Sequence, residues 1–129
     1  MVAPTDLGRL SEFFDRYGIA LTSGDVAAIA NCYALPGMVV ADAYSFTFAS
    51  PAAVALSFLG ASPTYAERQI VAAHAQLRDV QRLSPVLSLV AVEWEYLDSH
   101  GNAVPGDSYS YLLRIGADGP RITTVIATH

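Results

Sequence analysis

The sequence predicts an α+β fold, with helices packed on one curved, mostly antiparallel sheet. Two observations carry the prediction. Apolar residues recur at spacings of three and four early in the chain, and at every second position later on. Turn signals at Asp98-Ser99-His100-Gly101-Asn102 and at Asp118-Gly119 then divide the later part into strands that run back on one another.

Taken in order, Thr5 or Asp6 can cap a first helix running to about Leu21. Leu7, Leu10, Phe14, Tyr17 and Leu21 form its apolar stripe, while Glu12, Asp15 and Arg16 fall largely outside it. Ser23-Gly24-Asp25 reads as a turn and helix start, with Asp25 at the positive end of a second helix. Val26, Ile29, Ala30 and Tyr33 make that helix's stripe, and Pro36-Gly37 is expected to end it. Met38 to Asp42 reads as a strand continuing or turning into Tyr44 to Phe48, with Tyr44, Phe46 and Phe48 on one side. Ser50-Pro51 has the form of an N-cap and first helical position, so Pro51 to Leu59 is a short third helix closed by Gly60. Ala61 to Arg68, with Pro63 and Tyr65, is a connector. The remaining strands are expected at Val71 to Leu83, Val86 to Leu97, Asp107 to Ile115 and Arg121 to Thr128. Alternation places Val90, Val92, Trp94 and Tyr96 on one face and Glu93 and Glu95 on the other. It also groups Tyr109, Tyr111, Leu113 and Ile115.

A chain of 129 residues is expected to form one domain. Its 53% hydrophobic and 15% charged residues leave few charges to cover the outside, which fits an apolar cavity or a dimer face. The net charge is −5, lysine is absent and the seven arginines are scattered along the sequence, which argues against a nucleic-acid partner. Cys32 is the single cysteine and lies on an apolar stripe, so it reads as a buried structural thiol. No signal-peptide pattern and no apolar run of membrane-spanning length occur, so a cytoplasmic protein without a membrane partner is expected. There is no CxxC or HxxxH grouping, no glycine-rich phosphate loop and no G-x-S-x-G elbow, so neither metal nor cofactor is expected.

The stretch Tyr17 to Asp42 has an aromatic residue, then Ala20-Leu21-x-x-Gly24-Asp25, then Ala28-Ile29-x-x-x-Tyr33, then a strand ending in Asp42. This resembles the opening of the nuclear transport factor 2-like superfamily, which includes ketosteroid isomerases, dehydratases and polyketide cyclases. The resemblance implies a cystatin-like cone: three N-terminal helices packed on a strongly curved, mostly antiparallel sheet, with a pocket in its mouth. It implies a fold more firmly than a reaction, because one fold carries many chemistries.

Compared with the ketosteroid isomerases, Tyr17 stands where their catalytic tyrosine does, and Asp42 where their general base does. Tyr111 takes the late-strand place of their oxyanion donor, with Tyr109 two residues earlier. Asp107 falls too early unless the register slips. The set makes chemical sense, since a carboxylate removes an α-proton while donors hold the enolate oxygen in a dry site. Tyr33, Phe46, Phe58, Tyr65, Trp94 and Tyr109 are expected as ligand-binding walls. Plainer readings stand beside these. Tyr17 can be a core aromatic with a satisfied hydroxyl, Asp42 a strand end, and Tyr109 and Tyr111 sheet residues. Three functions remain open: a proton-transfer enzyme acting on a hydrophobic carbonyl compound, a non-catalytic binder of a hydrophobic small molecule, and a domain for homodimerisation or partner docking.

Overall fold

The computed structural model describes residues 4–58 and 67–127. Its elements are α1 (Pro4–Ser23), α2 (Val26–Asn31), β1 (Tyr33–Ala41), β2 (Ser45–Phe48), α3 (Pro51–Phe58), β3 (Ile70–Arg82), β4 (Leu87–Asp98), β5 (Ala103–Gly116) and β6 (Gly119–Ala127). The six strands form one sheet in the order β2-β1-β6-β5-β4-β3. All neighbours are antiparallel except β1 and β6, which run parallel.

Helix α1 buries Leu10, Phe13, Phe14, Tyr17, Ala20 and Leu21, whereas Leu7 at the start of the expected stripe is 42% exposed. Gly18 brings the helix backbone down onto the sheet. A Cβ there would lie 2.9 Å from the Ala73 carbonyl oxygen and 3.2 Å from the Trp94 ring. Asp25 caps α2 by accepting a hydrogen bond from the Ala28 amide at 3.1 Å.

The expectation that Pro36-Gly37 ends the second helix is corrected. Helix α2 stops at Asn31, and Pro36 and Gly37 lie inside β1. The strand accepts a proline because its pairing with β6 shifts register between Tyr33 and Met38. The Leu35–Pro36 peptide is cis. Gly37 is required there, since a Cβ would lie 2.5 Å from the Phe48 ring. Tyr33 therefore belongs to a strand and not to a helical stripe.

The description of three N-terminal helices is matched loosely: α1 and α2 precede the sheet, and α3, at its expected place, follows the β1–β2 hairpin. Its cap is the expected one, the Ala53 amide donating to Ser50 Oγ at 3.1 Å. The late strands lie close to their predicted places, except that β5 starts at Ala103, ahead of Asp107. Its pairing with β4 slips between Glu93 and Glu95, inserting an extra residue opposite Trp94. Gly106 sits in that bulge, where a Cβ would be 2.5 Å from the Trp94 carbonyl oxygen. Among the described residues no helix is long and apolar enough to cross a membrane.

Candidate functional site

One row of residues crosses five strands of the sheet and defines the site. Phe46 on β2 pairs with Val39 on β1, Val39 with Val125 on β6, Val125 with Tyr111 on β5, and Tyr111 with Val90 on β4. Directly opposed residues share a face, so all five point to the side that α1 packs against. Burial is graded along the row. Val90 is 0% and Tyr111 2% exposed, while Phe46 at the edge is 41% exposed. The helix covers one arm of the sheet and leaves the β1–β2 arm more open.

Aromatic rings connect the open end to the covered one. Tyr44 stacks on Phe46 at 6.2 Å, Phe46 meets Phe48 at 6.1 Å and Phe48 meets Tyr33 at 5.2 Å. Tyr33 then contacts Tyr17 at 6.0 Å, and Tyr17 contacts both Tyr111 and Trp94 at 6.1 Å. Two buried polar contacts lie at the inner end. The Tyr17 and Tyr33 hydroxyls are 2.7 Å apart, with either able to donate. Trp94 Nε1–H donates to the Tyr111 hydroxyl at 2.9 Å. Burial pushes the Tyr33 hydroxyl well above its ordinary pKa, with the Tyr17 hydrogen bond offsetting only part of that. The phenol therefore stays neutral and keeps its proton for hydrogen bonding.

The structure brings Tyr17 and Tyr111 together, and it adds Tyr33 and Trp94 to them. Tyr109 is half-buried, with its ring 6.0 Å from that of Tyr111. Asp42 is not brought to this group: its side chain is exposed, just beyond the end of β1 where the chain turns toward β2. Phe46 lies next to Tyr44 at the open end of the aromatic run and Trp94 lies at its inner end. Tyr65 and the side chain of Phe58 lie outside the described residues.

A second polar group was hidden by register. The slip in β5 lets Asp107 accept from the Tyr96 hydroxyl at 3.4 Å, and the Arg68 guanidinium lies 5.4 Å over the Tyr96 ring. The signal for the slip was Pro105-Gly106 inside an otherwise alternating strand. Cys32 is buried, and burial pushes its thiol up to about 11 against a lowering pull from Arg16. It is a protonated thiol at neutral pH, not a nucleophile. His74 is exposed. Among the described residues, no group of three or more His, Cys, Asp or Glu could hold a metal ion.

Helices closing one side of a mixed sheet, over an aromatic interior that is more exposed at one edge, define an α+β fold on a curved sheet. The chain belongs to the family described as NTF2-like protein (DUF6841), whose profile matches residues 8–129. No curated protein matches it. Among solved structures it is similar to a domain of unknown function with a cystatin-like fold from Nostoc punctiforme PCC 73102, at 13% identity and TM-score 0.72, over 98% of this chain and 78% of that one. It is also similar to an NTF-2 like protein of unknown function from Shewanella oneidensis MR-1, at 15% identity and TM-score 0.69, over 98% of this chain and 100% of that one. A ketosteroid isomerase-like protein from Erwinia carotovora atroseptica matches at 16% identity and TM-score 0.65, over 98% of this chain and 97% of that one. At these identities the likeness concerns the fold.

Proposed function

We propose that this protein binds a hydrophobic small molecule along the aromatic run, with a carbonyl or hydroxyl oxygen of the ligand directed toward the tyrosine hydroxyls. The observation that carries this reading is the continuous ring contact from exposed Tyr44 and Phe46 to the buried Tyr17–Tyr33 pair. Small-molecule sites are apolar with a few converging polar groups, and this face has that composition.

Proton transfer with Asp42 as base is the weaker reading. The base must reach the same dry site as the oxyanion donors, whereas Asp42 is exposed and the tyrosines are buried. Titration with a neutral, polarity-sensitive dye such as Nile red tests the binder reading. Phe46→Ala should weaken binding by about tenfold, from the apolar area lost. Absence of binding, or binding unchanged by that substitution, would reject it.

We further propose that two copies pair through the outer sheet face. Leu87, Leu89 and Ala91 alternate with the buried Val90, Val92 and Trp94 and are only half-buried in one chain. Glu93 would lie at the rim, where it pairs with Arg78 at 3.0 Å. Light scattering at micromolar concentration should give a dimer mass, and Leu89→Asp should convert it to monomer; a monomer mass for the unmodified chain ends the proposal.

A further inference from the structure

We infer that the opposite end of the molecule carries a separate binding cleft for a small organic phosphate. It lies where α1 and α2 meet the turn between β5 and β6. Phe13, Arg16, Ala28, Cys32, Pro120 and Arg121 are among the residues around a cleft of about 310 Å³. Arg121 and Asp118 also belong to an adjoining cleft of about 150 Å³, which Arg114 lines. Arg9 lies beside Pro120 in a third, smaller hollow. The arginines that are scattered in sequence are therefore gathered in space, with four of the seven around one turn of a chain whose net charge is −5.

Arg114 and Arg121 are direct cross-strand partners, and both are exposed. Like charges placed opposite each other destabilise a sheet, and a bound anion turns that repulsion into attraction. Arg16 approaches from α1, held 5.9 Å over the Phe13 ring, and its charge is felt at Cys32 on the cleft wall. Among the described lining residues of the two larger clefts, Asp118 is the one acid, and it lies 4.0 Å from Arg121, at the limit of an ion pair. Arg16 and Arg121 thus line the larger cleft and Arg114 and Arg121 the adjoining one, with Asp118 common to both.

The ligand class follows from that geometry. One guanidinium fork satisfies a carboxylate, whereas a phosphate has three oxygens to share among guanidinium groups from different elements. The apolar side of the cleft is half-buried Ala28, backed by buried Phe13 and Pro120. The cleft volume falls at the lower end of the range for small-molecule sites, roughly 300–1,000 Å³. This site shares no lining residue with the aromatic run, so the inference does not rest on the function proposed above.

The test is isothermal titration of phenyl phosphate into the full chain at low salt, with phenol as the neutral comparison and thermal melts to check each variant. Phenyl phosphate should bind and phenol should not compete. Arg121→Gln should weaken binding by about tenfold or more, since charge-assisted hydrogen bonds are lost. Asp118→Asn should tighten it by removing the internal competitor. Arg78→Gln, on the outer sheet face, and Phe46→Ala, in the aromatic run, should leave it unchanged. The inference is overturned if phenyl phosphate gives no binding heat. It is equally overturned if Arg78→Gln costs as much as Arg121→Gln, or if Phe46→Ala abolishes binding.

Discussion

The two arms of the sheet use the same residue types to opposite ends. On the β3–β4–β5 arm, under α1, Trp94 and Tyr111 are each 2% exposed and bonded to one another. On the β1–β2 arm, Tyr44 is 60% and Phe46 41% exposed, stacked on each other with planes 10° apart. The difference lies in what covers them. Gly18 lets α1 settle on Ala73 and Trp94, whereas α3 lies beside β2 as a short helix packed mainly on α2. A buried tyrosine or tryptophan must find a polar partner, so the covered arm becomes a hydrogen-bonded core. Exposed rings keep their apolar surface available to solvent.

The comparison breaks hardest at Trp94. Trp94→Ala removes a ring that contacts Phe14 and Tyr17 and also removes the donor to Tyr111. Urea denaturation should show a loss of about 3–5 kcal/mol, the usual cost of deleting a large core aromatic. A loss below about 1 kcal/mol would mean that this arm is not the packed core.

Alkaline pH attacks the buried junction of α2 and β1 without any mutation. Burial holds Cys32 and Tyr33 above their ordinary values of 9.0 and 10.0. The folded state therefore keeps protons that the unfolded chain has already released. Stability from these groups is fully present below about pH 9 and falls as pH rises through the folded value, about 11 for Cys32. For Cys32 the difference between 9.0 and about 11 is worth at most about 2.7 kcal/mol. Denaturation midpoints measured across that window should fall with rising pH, and Cys32→Ala should flatten part of the slope. A midpoint that rises with pH would contradict both burials.

Tyr33→Phe sharpens the comparison on a smaller scale. It keeps the ring contacts with Phe48 and Tyr17 and deletes one hydroxyl of the 2.7 Å pair. The expected loss is about 1 kcal/mol or somewhat more by denaturant titration. The same change at exposed Tyr44 should cost less than about 0.5 kcal/mol.

Much of the fold was legible because it rests on periodicity. The α1 stripe and the alternation of Val90, Val92, Trp94 and Tyr96 both appear as buried faces. The errors fall where backbone geometry overrides composition. Pro36-Gly37 looks like a helix stop, yet it occupies an irregular stretch of strand, made possible by the register shift in β1 and the close approach of Phe48. Pro105-Gly106 marks a bulge that alternation cannot count through, and it moved Asp107 to Tyr96. Tyr17, Tyr33, Trp94 and Tyr111 were named from the sequence and do converge. Their mutual bonding was not legible, because a hydroxyl's partner depends on distances between elements far apart in the chain. The arginine cleft was missed for the same reason: Arg16, Arg114 and Arg121 are separated in sequence and joined only by the tertiary fold.

The smallest effects on stability decide most about function, and they fall at Phe46 and Asp42. Phe46 sits on edge strand β2 with its ring already 41% exposed, so Phe46→Ala forfeits little burial and should shift stability by less than about 1 kcal/mol. Its place in the row, opposite Val39 and in ring contact with Phe48, puts that exposed surface on the same face as the buried tyrosines. If the β1–β2 arm is the entry, binding of a neutral hydrophobic probe falls by about tenfold while the melting temperature hardly moves. Asp42→Asn is the matched control. It removes one charge from an exposed position and should alter neither stability nor probe binding by more than about 0.5 kcal/mol. A base essential to proton transfer would behave otherwise, with any turnover of a carbonyl substrate dropping by roughly a hundred-fold or more. Measured together, the two variants separate a pocket that only binds from one that also reacts. Loss at Phe46 alone supports the binder, and a large loss of turnover at Asp42 would restore the catalytic reading.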